Sequence, residues 1–150
     1  MGRKTKYNNL TSPDLISKIN PDNKSLILDF MDYLKSVGRS EGTRNGYASD
    51  LNIFFVWVLN NLDNKFFPKI SKRELVRFQN WLVEENENSS ARIRRIKSSI
   101  SSLSNFIEAI LDQEDEFKDF KSTIRKIENP PLEAVREKTV WSEEELQNLL

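Results

Sequence analysis

The sequence contains no cysteine and no histidine. Without cysteine there is no disulfide, no thiol nucleophile and no thiolate-bound zinc. Without histidine, serine–histidine–aspartate chemistry and imidazole-ligated metals are excluded as well. Carboxylates, lysines and tyrosines remain, and no pair of them stands out. No catalytic residue, cofactor or metal site is therefore expected, and these 150 residues are not expected to act as an enzyme by themselves. Glycine and proline are scarce, at four and five, which excludes collagen-like and low-complexity chains. Neither charge sign dominates: 23 Lys and Arg oppose 23 Asp and Glu, and 37% of the residues are hydrophobic. Such a composition folds, because disorder needs low hydrophobicity together with high net charge. No run approaches the ~20 apolar residues of a membrane span, and Met1 to Lys6 has no apolar stretch behind it to form a secretory signal. A cytoplasmic chain with no membrane partner is the expectation.

What is present is helical periodicity along nearly the whole chain, and at this length a single core can bury roughly two-thirds of the unfolded surface. Asn20-Pro21-Asp22 reads as an N-cap with proline in the first turn. Ile27, Phe30, Leu34 and Val37 follow at helical steps, and Gly38 supplies a stop. A second helix opens near Ser40. Its stretch from Ile53 to Leu59 is apolar almost all round, which marks a central helix buried on more than one side. Residues 61–70 read as a loop, and Ser71 with Glu74 fits a capping box opening a third helix through Leu75, Phe78 and Leu82. After a polar turn, a fourth helix from about Ser90 to Leu111 carries Ile93, Ile96, Ile100, Leu103, Ile107 and Ile110, the strongest period in the chain. An acidic run over 112–119 precedes a short helical pattern through Phe117, Phe120, Ile124 and Ile127, which Asn129-Pro130-Pro131 breaks. Ser142 to Glu145 forms another capping box, and the chain stops inside the helix it opens, as at the edge of a further domain. The expected division is an N-terminal arm or short helix over 1–19, a helical domain over 20–128, and a linker with the first helix of a missing domain over 129–150.

Candidate binding residues concentrate on the isoleucine helix. From Ser89 to Asn105 it carries Arg92, Arg94, Arg95 and Lys97 and no acid. Steps of about 100° put Arg94, Ser98, Ser101 and Asn105 roughly opposite the isoleucines, with Arg95, Lys97 and Ser102 on the flanks. Serine is a mediocre helix former, yet its short hydroxyl lets a helix approach a phosphate backbone closely. A cationic, hydroxyl-rich face suits the major groove; the competing reading is an ordinary solvated face. The start of the second helix, Arg39 to Tyr47, offers unpaired amides and a partial positive charge, to which Thr43 and Arg44 add side chains. Arg3, Lys4 and Lys6 could form an arm along phosphates. Asp50 reads as an intramolecular partner, and Trp57 and Trp81 as core.

Taken in order, these elements resemble the N-terminal core-binding (SAM-like) domain of phage integrases and other tyrosine recombinases. The resemblance is carried by Ser40-x-x-Thr43-x-x-x-Tyr47-x-x-Asp50-Leu51-x-x-Phe54-x-x-Trp57, by Ile70-Ser71-x-x-Glu74-Leu75, and by the isoleucine-rich helix. Asn129-Pro130 and Val140-Trp141-Ser142-x-Glu144-Glu145-Leu146 complete it. It implies an all-α, compact four- to five-helix bundle, bacterial or phage-encoded, that forms half of a clamp on a recombination core site. The implied partners are double-stranded DNA and the missing catalytic domain, with the full-length protein tetrameric on DNA. The DNA-binding residues carried over are Thr43, Arg44, Arg92, Arg94, Arg95, Lys97 and Ser98, to which the face analysis adds Ser101. The family's catalytic arginines, histidine and tyrosine belong to the following domain. The rival expectation is a helical protein–protein interaction module without DNA binding.

Overall fold

Each helix begins where a side chain can take over an amide that the helix leaves unpaired. Ser12 accepts from the amide of Leu15, Asn20 from Asp22, Ser40 from Thr43, and Ser89 from Arg92. Ser71 and Glu74 form the reciprocal capping box that their spacing predicts. The computed structural model describes residues 11–85 and 89–131. Among them are five α-helices and no strand: α1 (Pro13–Ser17), α2 (Pro21–Ser36), α3 (Glu41–Asn61), α4 (Lys72–Glu84) and α5 (Ser90–Ile110). Three short 3-10 turns, Phe67–Lys69, Asp115–Phe117 and Ile124–Lys126, complete the described elements. The basic arm at 3–6 and the capping box at Ser142 lie outside the described residues.

The helix ends follow equally local rules. Gly38 takes a φ of +84°, and the amides of Arg39 and Gly38 reach back to the carbonyls of Leu34 and Lys35. That pair of bonds is a Schellman ending, which needs the left-handed conformation glycine adopts freely. α3 ends differently, with Asp63 and Asn64 both at a φ of 57°. Asn64 justifies the conformation by its bonds: its Oδ1 accepts from the amide of Asn20 at 2.9 Å and its Nδ2 donates to the carbonyl of Lys18 at 3.0 Å. The α1–α2 junction is thereby pinned to the end of α3.

α3 is the central helix. Leu51 and the whole run Ile53 to Val58 are buried. Phe54 packs edge-on against Phe55, Phe67 and Phe78, and Trp57 packs on Phe78. α5 crosses the α2–α3 hairpin: its apolar stripe from Ile93 to Ile107 enters the core, Ile110 at the end of the expected stripe is 50% exposed, and Phe106 lies against Phe30 and Tyr33 of α2.

The chain after α5 departs from the helix its 3–4 spacing predicts. Phe117 and Ile124 are buried and Phe120 and Ile127 pack on the core, yet only isolated 3-10 turns form. The carbonyls of Ile127, Glu128 and Pro130 accept from side chains of α4 and α5. Residues 118–131 are thus a strap laid over α5.

Candidate nucleic-acid interface

The α3–α5 contact is polar where the two helices cross. Asp50 is 2% exposed. It accepts from Arg95 Nη2 at 2.9 Å, from Arg95 Nε at 3.4 Å, and from Ser99 Oγ at 2.7 Å. One turn earlier on α3, Tyr47 accepts from Ser102 Oγ at 3.4 Å. Thr43 precedes Tyr47 by one turn and Ser98 precedes Ser102 by one turn, so both lie on the faces that meet there. Thr43 and Ser98 are both exposed.

The predicted residues divide into three groups. Thr43 is exposed at the start of α3, its hydroxyl 3.1 Å from that of Ser40, and Arg44 beside it folds back to donate to the carbonyl of Arg39 at 2.7 Å. Arg95 turns to Asp50 with its side chain still 55% exposed, and Arg92 sits half-buried in the first turn of α5. Arg94, Lys97, Ser98 and Ser101 are brought together: with Ser102 and Arg125 they line a cavity of about 240 Å³ between α5 and the strap.

Within this third group the side of α5 expected to be open is partly covered. Lys97 is 5% exposed and donates to the carbonyl of Ile127 at 2.8 Å. Arg94 Nη2 donates to the carbonyl of Pro130 at 3.1 Å. Ser101, also 5% exposed, accepts from Arg125 Nε at 2.8 Å. Burial, and then the charge of Arg94, hold the Lys97 ammonium below the ordinary lysine range. Ser99, Ser101, Ser102 and Ser104 all make hydrogen bonds inside the fold, which leaves Ser98 as the exposed hydroxyl among them. Arg125 and Gln79 did not stand out from the sequence. Ile124 and Ile127, which pack on the core, were the available signal that this segment lies against the bundle.

Residues 26–116 match the family of phage integrase N-terminal SAM-like domains. The chain belongs to that family. The SPbeta prophage-derived recombinase-like protein YomM of Bacillus subtilis (strain 168) is 31% identical over 122 residues, which cover 81% of this chain and 35% of that protein. The chain therefore spans about a third of that relative's length. No solved structure matches it. The all-helical architecture is that expected of an integrase SAM-like domain, and no described helix is long and apolar enough to cross a membrane. The α3–α5 crossing falls within the matched residues, whereas the strap carbonyls that hold Arg94 and Lys97 lie beyond them.

Proposed function

We propose that this SAM-like domain is the DNA-binding core-binding domain of a phage-type tyrosine recombinase, holding a recombination core site during integration. The observation that carries the reading is the α3–α5 crossing. Thr43 and Ser98 stand exposed one turn from the two residues that meet there. α5 carries four cations and no acid until Glu108, with Arg95 at the crossing paired to Asp50 and still 55% exposed. The first turn of α3 adds amides and a partial positive charge suited to phosphate. The acidic run gathers with other acids: Phe117 packs on Phe66, and Glu114 and Glu116 line a cleft with Asp22 and Asp29 of α2, none of which lines the cavity against α5.

Cleavage and rejoining of DNA, and tetramer formation on it, belong in this reading to the full-length protein and its catalytic domain. In the cytoplasm the SAM-like domain contributes grip and orientation. Most of its affinity comes from phosphates and little of its specificity from base edges.

Photo-cross-linking tests this directly. A benzophenone side chain at position 43 or 98 is expected to capture a duplex at low salt, and one at Glu116 is not. Equal capture at all three positions, or capture at 116 alone, would overturn the reading in favour of a different face or of a protein-interaction module.

A further inference from the structure

We infer that the cavity between α5 and the strap is a seat for one phosphate group, which ties occupancy of the DNA face to the position of the strap. The inference rests on the DNA-binding reading for the source of the phosphate, and on the cavity itself for its chemistry. Arg94, Lys97 and Arg125 line it together with the hydroxyls of Ser98, Ser101 and Ser102. Among the described residues none of the three cations has a carboxylate partner; the ion pairs there involve Lys18, Lys65, Arg95 and Lys118 instead. Three cations gathered without an acid repel one another, and an oxyanion relieves that repulsion.

Donors remain for such a ligand. Lys97 uses one N–H on Ile127, and an ammonium has three. Arg94 donates through Nη2 to Pro130, and its Nε is enclosed by protein without a partner, so Arg94 contributes its charge to the seat. Arg125 uses Nε on Ser101, leaving the two terminal nitrogens of its fork, a geometry matched to phosphate oxygens. At about 240 Å³ the cavity has room for a tetrahedral oxyanion with part of its hydration.

The seat has one wall on α5 and one on the strap. Arg125 comes from the strap, and Arg94 and Lys97 already grip strap carbonyls. A phosphate bound there bridges the two walls, so DNA would fix the strap, and with it the direction in which the chain leaves the domain.

Amide NMR of the 150-residue chain, titrated with inorganic phosphate at ionic strength held constant with chloride, tests the seat. Saturable shifts confined to residues 97–102 and 122–129 are expected. They should vanish in Ser98→Glu, which adds a negative charge at the rim without removing a bond, and weaken in Arg125→Gln, whose amide can still reach Ser101. Shifts that stay linear and scatter over every surface cation would mean an adventitious ion only, and would overturn the seat. The duplex arm identifies the source. If the seat takes a DNA phosphate, Arg125→Gln, which removes a cation of the seat that is no part of the α3–α5 face, lowers the log–log salt slope by about 1. Saturable phosphate binding with an unchanged slope supports the seat with free phosphate as its occupant and overturns its link to DNA. Saturable phosphate binding by a chain that binds no duplex supports the seat and overturns the DNA-binding reading alone.

Discussion

Arg95 holds Asp50 across the α3–α5 crossing through two hydrogen bonds, 2.9 Å from Nη2 and 3.4 Å from Nε. The carboxylate is buried and Ser99 supplies its third donor at 2.7 Å. A buried carboxylate that loses a charged partner keeps its desolvation cost and loses the compensation for it. Arg95→Ala is therefore expected to lower stability by about 1–3 kcal/mol, and Ser99→Ala by about 1 kcal/mol. Arg95→Lys should recover only part of the loss, because an ammonium cannot reproduce the two-pronged contact. Urea melts check this. An Arg95→Ala variant with an unshifted midpoint would contradict the structural role.

Lys97 gives a prediction about pH. Burial and Arg94 hold its folded pKa below the ordinary value of 10.5, while the unfolded lysine titrates near that value. Between the two values the unfolded state binds more protons, so the lysine's contribution to stability rises with pH there. Below the folded pKa the cost of burying the ammonium is fully present. Compared with Lys97→Met, the wild type should gain relative stability as pH rises from neutral through the depressed folded pKa toward 10.5. Paired urea melts at neutral and alkaline pH measure the difference; a flat or falling difference would contradict it.

Glu74 runs the other way. Its hydrogen bond with Lys65 at 2.7 Å, and then the amide of Ser71 at 2.9 Å, hold its carboxyl below the ordinary value of 4.5. Its contribution is present above the unfolded pKa and disappears as pH falls through the folded one. Glu74→Gln keeps the cap, since glutamine also completes the box, and should cost about 0.2–1 kcal/mol at neutral pH through the lost ion pair with Lys65, approaching nothing in acid below the folded pKa. Thermal melts of both proteins across that range decide it.

Elements of regular helix were legible in the sequence because their causes are local. Asn20, Ser40 and Ser71 cap the helices their positions announce, and the unbroken apolar run in α3 marks the central helix. The Asp50 ion pair was legible in kind, since a lone acid on a helix otherwise buried needs a partner. The strap was not legible. Phe117, Phe120, Ile124 and Ile127 have helical spacing, but their carbonyls and flanking residues meet partners on α4 and α5 that periodicity does not report. The same blindness affected the serines of α5. Ser99 and Ser101 carry hydroxyls suited to phosphate, and both face protein donors or acceptors inside the fold.

Gly46 offers a test of the exposed start of α3. A Cβ added there meets nothing within 4 Å, and the residue is exposed within the helix. Gly46→Ala should therefore stabilise the domain by about 0.5–1 kcal/mol, the helix-propensity gain. A melting midpoint that falls would contradict the open environment described for it.

The most direct test of the central claim is fluorescence anisotropy of a labelled duplex against salt, using wild type and a Thr43→Glu/Ser98→Glu double variant. These positions are chosen because reversing charge at Arg95 or Lys97 would also disturb the fold. Glutamate at 43 completes a capping box with Ser40, and at 98 it is a better helix former than serine, so the variant should fold at least as well. Wild type is predicted to bind with a log–log slope of roughly −3 to −5, about 0.9 per phosphate contact, and the folded variant to lose most of that binding. No binding by wild type at low salt, or equal binding by both proteins, would contradict the claim that α3 and α5 together face DNA.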